Sequence, residues 1–436
     1  MDCHLKYFAM RLKLPYRHRV LVLLFFLILI TYLDRVCISL VGVRIKTEFH
    51  LNNEQFGWVL GAFALAYALF EIPSGVLGDR IGQRAVLIRI VLVWSIFTAL
   101  TGVSTGLLTL IITRFLFGVG ESGAFPNSTA IVSRWFPAAE TGRGMSALLI
   151  GLNAGAAIAP VIIIPIAILY GWRAPFFVNA LIGMIWVIVC WKWYRNEPSG
   201  MKRITPEEVS LITENRRFLD HRRNFSWKNA IKNRQLLAML VSFFCSQWAL
   251  YFFVAWMPVY LQQGRHFSEN NMKMVTSYLF LAGMTGAFIA GAWSDWLVKK
   301  RGLNFGRRFP GFFALGMTGL CFLVTAFSPS NLVVVISLIV GDFFLSFFPI
   351  AAFSTCADIA GSRAGTVAGI MNFSGQMGAF LLAIAFGKIV DLTHSYNSPL
   401  IVISVVLITG GMCWLAVNPT KKISMDVAVT NLKLVT

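Results

Sequence analysis

The sequence predicts an all-α integral membrane protein, with twelve transmembrane helices in two six-helix halves. Three observations predict it. The 436 residues are 57% hydrophobic and only 13% charged, whereas a soluble domain carries about 45–50% apolar and about 25% charged residues. The apolar residues gather into twelve runs near the roughly 20 residues that a spanning helix needs. The runs also fall into two sets of six whose landmarks match.

The runs cover 19–42, 55–78, 85–104, 106–132, 142–169 and 173–194, then 234–261, 272–297, 309–328, 331–353, 363–390 and 396–417. The first is too long for a signal-peptide core and has no AxA-like exit, so a retained helix is expected. Residues 1–18 form an N-terminal tail and 418–436 a C-terminal tail. Residues 195–233 are the one long polar stretch, a central loop dividing the half 19–194 from the half 234–417.

The formal charge of +19 comes from 38 Lys+Arg against 19 Asp+Glu. In a soluble chain that excess would suggest nucleic acid. Here 29 Lys/Arg fall in the two tails, the central loop and the loops on the same side. Only Arg44, Lys46, Arg173, Arg265, Lys273 and Lys388 fall on the other. Basic residues concentrate in cytoplasmic loops, so both termini are expected in the cytoplasm, with the protein in the inner (plasma) membrane. Nucleic acid drops out as a partner. The seven scattered cysteines contain no CxxC, so neither a disulfide framework nor a zinc site is expected.

The halves echo each other. Gly75-Val-Leu-Gly-Asp79 closes the second run and Gly291-Ala-Trp-Ser-Asp295 closes the eighth; Arg143-Gly144 opens the fifth and Arg363-Ala364-Gly365 the eleventh. Paired repeats of this kind suggest a transporter whose site lies at the repeat interface near mid-membrane.

Charges inside the runs are few: Asp34 and Arg35 in the first, Glu71 in the second, Arg114 and Glu121 in the fourth. Each costs roughly 2.5–3.5 kcal/mol at a helix centre on an insertion scale, so each should face a cavity or one another. Arg114 and Glu121 are two helical turns apart on one face. One reading is an ion-pair network that only fixes packing; Glu71, beside Pro73, fits that role. The other is proton coupling. Burial disfavours a charged carboxyl and a neighbouring cation favours it, so a carboxyl beside a movable Arg can exchange a proton as the site changes state. An anion's carboxylate would compete for the Arg fork. All six histidines lie in tails or loops, which leaves Asp34 and Glu121 as the proton candidates. Tyr32, Tyr67, Asn127, Asn153, Asn372 and Gln376 could read hydroxyl groups, or serve packing and helix–helix hydrogen bonding. No GxxxxGK[ST] and no Asp-Lys-Thr-Gly occurs, so the energy source is expected to be a gradient, with no cofactor and no metal.

Several motifs resemble those of a known family. Gly75-x-x-x-Asp79-Arg80-x-Gly82-x-Arg84 is similar to the signature loop of the major facilitator superfamily. Tyr32-Leu-Asp34-Arg35, Arg114-Phe-Leu-Phe-Gly-Val-Gly-Glu121-Ser-Gly-Ala-Phe-Pro126, Arg134-Trp-Phe-Pro-x-x-Glu140 and Gly171-Trp-Arg173 resemble its anion:cation symporter family. The resemblance covers essentially the whole chain. It implies the major facilitator fold and proton-coupled uptake of a small organic anion, a sugar acid of the hexonate, hexuronate or glucarate type. It further implies that Arg35 takes the substrate carboxylate, that Asp34 and Glu121 exchange protons with Arg114 modulating Glu121, and that Tyr67 and Asn372 touch the sugar chain. Thr31 stands where the family has Asn, and Phe353 stands near a family Trp in the tenth run. The signature-loop residues Gly75, Asp79, Arg80, Gly82 and Arg84, with Asp295, are expected to gate the swing between states. The protein is expected to act as a monomer among membrane lipids and to be no enzyme. The rival functions are a uniporter or exchanger of another organic anion, and a non-transporting membrane sensor.

Overall fold

A computed structural model describes residues 15–137, 140–201, 204–214, 233–360 and 364–422, all helical or irregular with no strand among them. The first half runs α1 (Tyr16–Leu40), α2 (Gly42–Glu48), α3 (Asn53–Ile81), α4 (Gln83–Gly102), α5 (Leu107–Glu121), α6 (Ala124–Trp135), α7 (Thr141–Tyr170) and α8 (Ala174–Trp193). The short α9 (Pro206–Glu214) follows. The second half runs α10 (Arg234–Tyr251), α11 (Glu269–Phe327), α12 (Asn331–Leu345), α13 (Phe347–Ala360), α14 (Ala364–Thr393) and α15 (Ser398–Trp414). Beyond α10 the chain continues through two π-helical turns, Phe252–Trp256 and Tyr260–Gly264. Among the described residues ten helical stretches are long and apolar enough to cross a membrane, and the 17-residue α15 is a shorter apolar helix. The 59-residue α11 is two helices meeting at Gly302, so every predicted run has its helix. Residues 1–14, 215–232 and 423–436, within the expected tails and central loop, lie outside the described residues, as does the repeat landmark Arg363.

Local chemistry sets the helix ends. Asn52 and Gln55 form a capping box at the start of α3, each satisfying a backbone donor that the first turn leaves open. The α1 start has no side-chain cap of its own. Glu208 of α9 accepts from the Tyr16 and Arg17 backbone N–H groups instead. Gly82 ends α3 at φ +88° and Gly302 breaks α11 at φ +82°, a region that glycine enters without strain. The two glycines occupy like places in the two halves.

The fourth predicted run is interrupted in both halves. Helices α5 and α12 are each 15 residues long and stop at Ser122 and Ser346, before α6 and α13 resume. The sequence reads each of these as one continuous run. The break puts Glu121 on the last turn of α5 rather than mid-helix.

By contacts the chain forms two compact units. Unit 1 holds the first half together with Val254–Leu281 and Ala383–Leu392; unit 2 holds Ala282–Leu382, the helix leading up to Phe253 and the chain after Leu392. Close approach within unit 1 depends on small residues. A Cβ on Gly155 of α7 would lie 2.3 Å from the Leu29 carbonyl of α1, and one on Gly118 of α5 2.6 Å from the Phe63 carbonyl of α3. Backbones this close gain packing that lipid cannot supply.

A polar belt closes unit 1 at the α2 end. Arg44 grips Glu269 with two bonds, Nε to Oε1 at 2.8 Å and Nη2 to Oε2 at 2.9 Å, and donates to the Ala167 carbonyl at 2.9 Å. Lys46 donates to Gln263 at 2.7 Å and also to Asn53. Asp391 accepts from the backbone of Asn53 at 3.2 Å and of Glu54 at 2.8 Å, where the α3 N-terminus favours negative charge. Ser39 donates to the carbonyl of Val254 at 2.8 Å, within the first π turn.

Candidate functional site

Four of the charged residues that the sequence singles out, Asp34, Arg35, Arg114 and Glu121, converge inside unit 1, two from α1 and two from α5. From α1, Arg35 points at Glu121 of α5 and pairs with it directly. The Arg35 guanidinium also lies over three rings, 4.9 Å from Tyr32, 5.0 Å from Phe63 and 4.5 Å from Tyr67. A cation over aromatic faces gains about 0.5–2 kcal/mol per good contact. Arg35 is thus held by one carboxylate and a ring cage, with 14% of its side chain exposed against none for Glu121.

Neighbouring positions on a helix point about 100° apart, so Asp34 turns away from that cage. It is 2% exposed. The charged groups facing it are Glu121 and Arg114, and Asn179 of α8 faces it as well. Arg114 is 2% exposed and lies over Phe117 at 4.2 Å and Phe63 at 5.4 Å. The sequence pairs Arg114 with Glu121 along one helix face; the contact partner of Glu121 comes from another helix, as Arg35. Arg114 acts on both carboxyls through its charge.

The Asn153 amide donates to Leu149 of its own helix at 3.0 Å, and Asn127 ties α6 to Ser74 at 3.3 Å and to Gly123 at 2.8 Å. Thr31 bonds back to Ile28 of its own turn. Asn372 and Gln376, one turn apart on α14, belong to unit 2, as does Phe353, whose ring meets Phe243 at 5.7 Å. Glu71 is buried in α3.

The expected gating residues cluster where α3 hands over to α4. Asp79 and Arg80 are exposed, and Gln83 donates to Asp79 at 3.4 Å. A Cβ on Gly82 would meet Asn196 at 2.4 Å, and the Arg84 backbone donates to Asn196 at 2.8 Å. A Cβ on Gly75 would lie 3.6 Å from Pro126, an ordinary contact. Asp79 is twelve residues, roughly 18 Å of helix, from the Tyr67 ring over Arg35. In unit 2, Asp295 meets Arg307 at 3.5 Å, and Arg307 also holds Asp358 at 3.1 Å.

Among the buried polar residues that the sequence reading does not single out are Asn179 and Asp342. Asn179 is 1% exposed; nothing in one sequence separates it from the asparagines that join helices. Asp342 of α12 is 4% exposed, and a Cβ on Gly283 would meet its Oδ2 at 2.3 Å. Its signal, an acid inside an apolar run, was as legible as that of Glu121.

Long apolar helices around a buried cluster of opposed charges define a multi-pass membrane transporter. The chain belongs to the Major Facilitator Superfamily, whose family model matches residues 24–383. It is 31% identical over 415 residues to the "Probable sulfoacetate transporter" of Cupriavidus necator, covering 94% of this chain and 96% of that one. The "Probable galactarate/D-glucarate transporter" of Escherichia coli K12 is 26% identical, over 92% of this chain and 94% of its own length. The "Hexuronate transporter" of Bacillus subtilis is 26% identical, over 88% and 90%. A solved bacterial homologue of the human lysosomal transporter Spinster, inward-facing and unoccupied, superposes with a TM-score of 0.74 at 17% identity, covering 92% of this chain and 97% of that one; it shows the fold alone. The superfamily membership and fold expected from the sequence hold, and the protein is a transporter, not an enzyme.

Proposed function

We propose that the protein is a proton-coupled symporter that takes up a small organic anion, most specifically a sugar acid, by alternating access. The observation that carries this is the position of Arg35, shared between the Glu121 carboxylate and three aromatic rings. While Glu121 is ionised it occupies the guanidinium. Protonation removes that competitor and frees the fork for the carboxylate of a substrate. Proton binding and anion binding then favour each other, and by linkage the coupling is reciprocal. Asp34, facing Arg114, supplies the second proton site. The relatives named as sulfoacetate, galactarate/D-glucarate and hexuronate transporters support an acidic substrate.

In this reading the termini are cytoplasmic, the membrane is the plasma membrane, and the working unit is a monomer driven by the proton gradient without a cofactor. The belt of Arg44, Lys46, Glu269 and Asp391 then lies on the outer side, where it opens and closes in each cycle, while the Asp79–Arg84 loop and Asp295 act on the inner side. Uptake of radiolabelled glucarate, galactonate, glucuronate and sulfoacetate by proteoliposomes tests the proposal. Accumulation of at least one anion, driven by an inward proton gradient and abolished by a protonophore, is expected. Transport that equilibrates an anion but never concentrates it would establish a uniporter or exchanger instead.

The belt gives this cycle a pH signature. Burial lowers the Lys46 amine from its ordinary 10.5 to about 8, partly offset by the Asp391 charge. A belt opened to water returns Lys46 towards its ordinary value. Between about pH 8 and pH 10.5 the closed belt therefore binds fewer protons than the open one, so raising the pH through that window favours closure. Below about pH 8 the amine is charged in both states and the dependence ends. Spin labels at Thr47 and Asn270, both exposed, should show the short-distance population growing from pH 8 to pH 10. Lys46→Met should flatten that growth.

A further inference from the structure

Asp34 and Asn179 share an unusual property. Both carboxylate oxygens of Asp34 and both amide atoms of Asn179 are buried, and among the described residues no group meets them at full hydrogen-bond geometry. An unsatisfied buried polar group costs about 1–3 kcal/mol, and such groups are rare enough in folded proteins that each calls for a reason. Here two of them face each other across the α1–α8 contact. The contact itself is fixed elsewhere, by Trp186 of α8 donating to the Leu23 carbonyl of α1 at 2.9 Å.

We propose that Asn179 is the positioning residue for Asp34, donating through its amide N–H to the ionised carboxylate and accepting through its amide oxygen from the protonated carboxyl. Asparagine carries a donor and an acceptor at one end, so rotation of the amide serves both protonation states without adding a charge. The inference rests on the reading of Asp34 as a proton site and adds the residue that sets its proton affinity. The other groups near Asp34 do different work. Glu121 and Arg114 reach it from α5 by charge, Cys37 lies one turn on along α1, and Arg35 is committed to Glu121. Helix α7, packed along α1, carries only Arg143 and Tyr170 as titratable groups, one near each end, and α8 carries only Cys190 and Lys192, three turns beyond Asn179.

A hydrogen bond to an ionised acceptor is roughly twice as strong as a neutral one. Loss of Asn179 therefore penalises the carboxylate more than the carboxyl, and Asp34 should hold its proton more tightly. The experiment is a pH titration of the carboxyl C=O stretch by difference infrared spectroscopy on the full-length protein in lipid, with no substrate added. The band that disappears in Asp34→Asn belongs to Asp34. In Asn179→Leu its midpoint should rise by about one pH unit, a tenfold gain in proton affinity, and its frequency should rise as the carboxyl loses its hydrogen-bond partner. Asn179→Asp, which keeps the shape, should raise the midpoint further by placing a second carboxyl beside the first. An Asp34 band that titrates identically in all three proteins would overturn the role of Asn179 and leave the proton role of Asp34 standing. If Asp34→Asn removes no titrating band, both are overturned.

Discussion

Replacing Arg35 with Lys should weaken binding of the transported anion by about 10–100-fold, since a hydrogen bond to a charged group contributes about 1.5–3 kcal/mol and tenfold is 1.4 kcal/mol. Lysine keeps the charge but loses the planar fork that can hold two oxygens at once. Arg35→Ala should abolish binding and also destabilise the protein, because it leaves Glu121 as a fully buried carboxylate without its direct partner. Breaking such a pair costs about 3–5 kcal/mol. The double change Arg35→Ala with Glu121→Gln separates the two effects: thermal stability in detergent should recover while binding stays lost. Titration calorimetry with whichever anion the liposomes accumulate gives the affinities. Near-normal affinity in Arg35→Lys and in the double variant would remove Arg35 from the substrate site.

Glu121→Gln should retain anion exchange and lose accumulation. Glutamine imitates the protonated acid permanently, so Arg35 stays free for the substrate and the loaded carrier can move. The empty carrier cannot reset by releasing a proton from this position. Counterflow should therefore persist at a rate near that of the native protein, while uptake driven by a pH gradient falls by at least an order of magnitude. If Glu121 serves packing alone, the same change should instead yield a poorly inserted protein that fails in both assays. Retained accumulation would leave Asp34 as the proton site.

Much of this architecture was legible without coordinates, because the bilayer imposes it. Lipid offers no hydrogen bonds to a backbone, so each apolar run of sufficient length must close its bonds internally as a helix. That is why the runs map onto the helices. The intramembrane charges stood out for the same reason: Asp34, Arg35, Arg114 and Glu121 are conspicuous against an apolar background, and all four meet in unit 1. Asp342 was equally conspicuous and went unread, while Asn179 was invisible because a buried amide looks the same in sequence whether it joins two helices or faces a carboxylate.

What the sequence determined by itself was the all-helical membrane fold, the family motifs and the conspicuousness of Asp34, Arg35, Arg114 and Glu121, since those follow from hydropathy, cost and local pattern, which are properties of one segment at a time. Only the tertiary structure decided who meets whom. Periodicity along α5 placed Arg114 and Glu121 on one face, but Glu121 is paired by Arg35 of α1, 86 residues away. The Arg44–Glu269 grip likewise joins residues 225 positions apart. The breaks after Glu121 and Leu345 and the π turns at Phe252–Trp256 also needed coordinates. Helical periodicity reaches only three or four residues along the chain, whereas a pairing between helices depends on their rotation and closest approach, which glycines such as Gly118 and Gly155 set through contacts with backbone from another part of the chain.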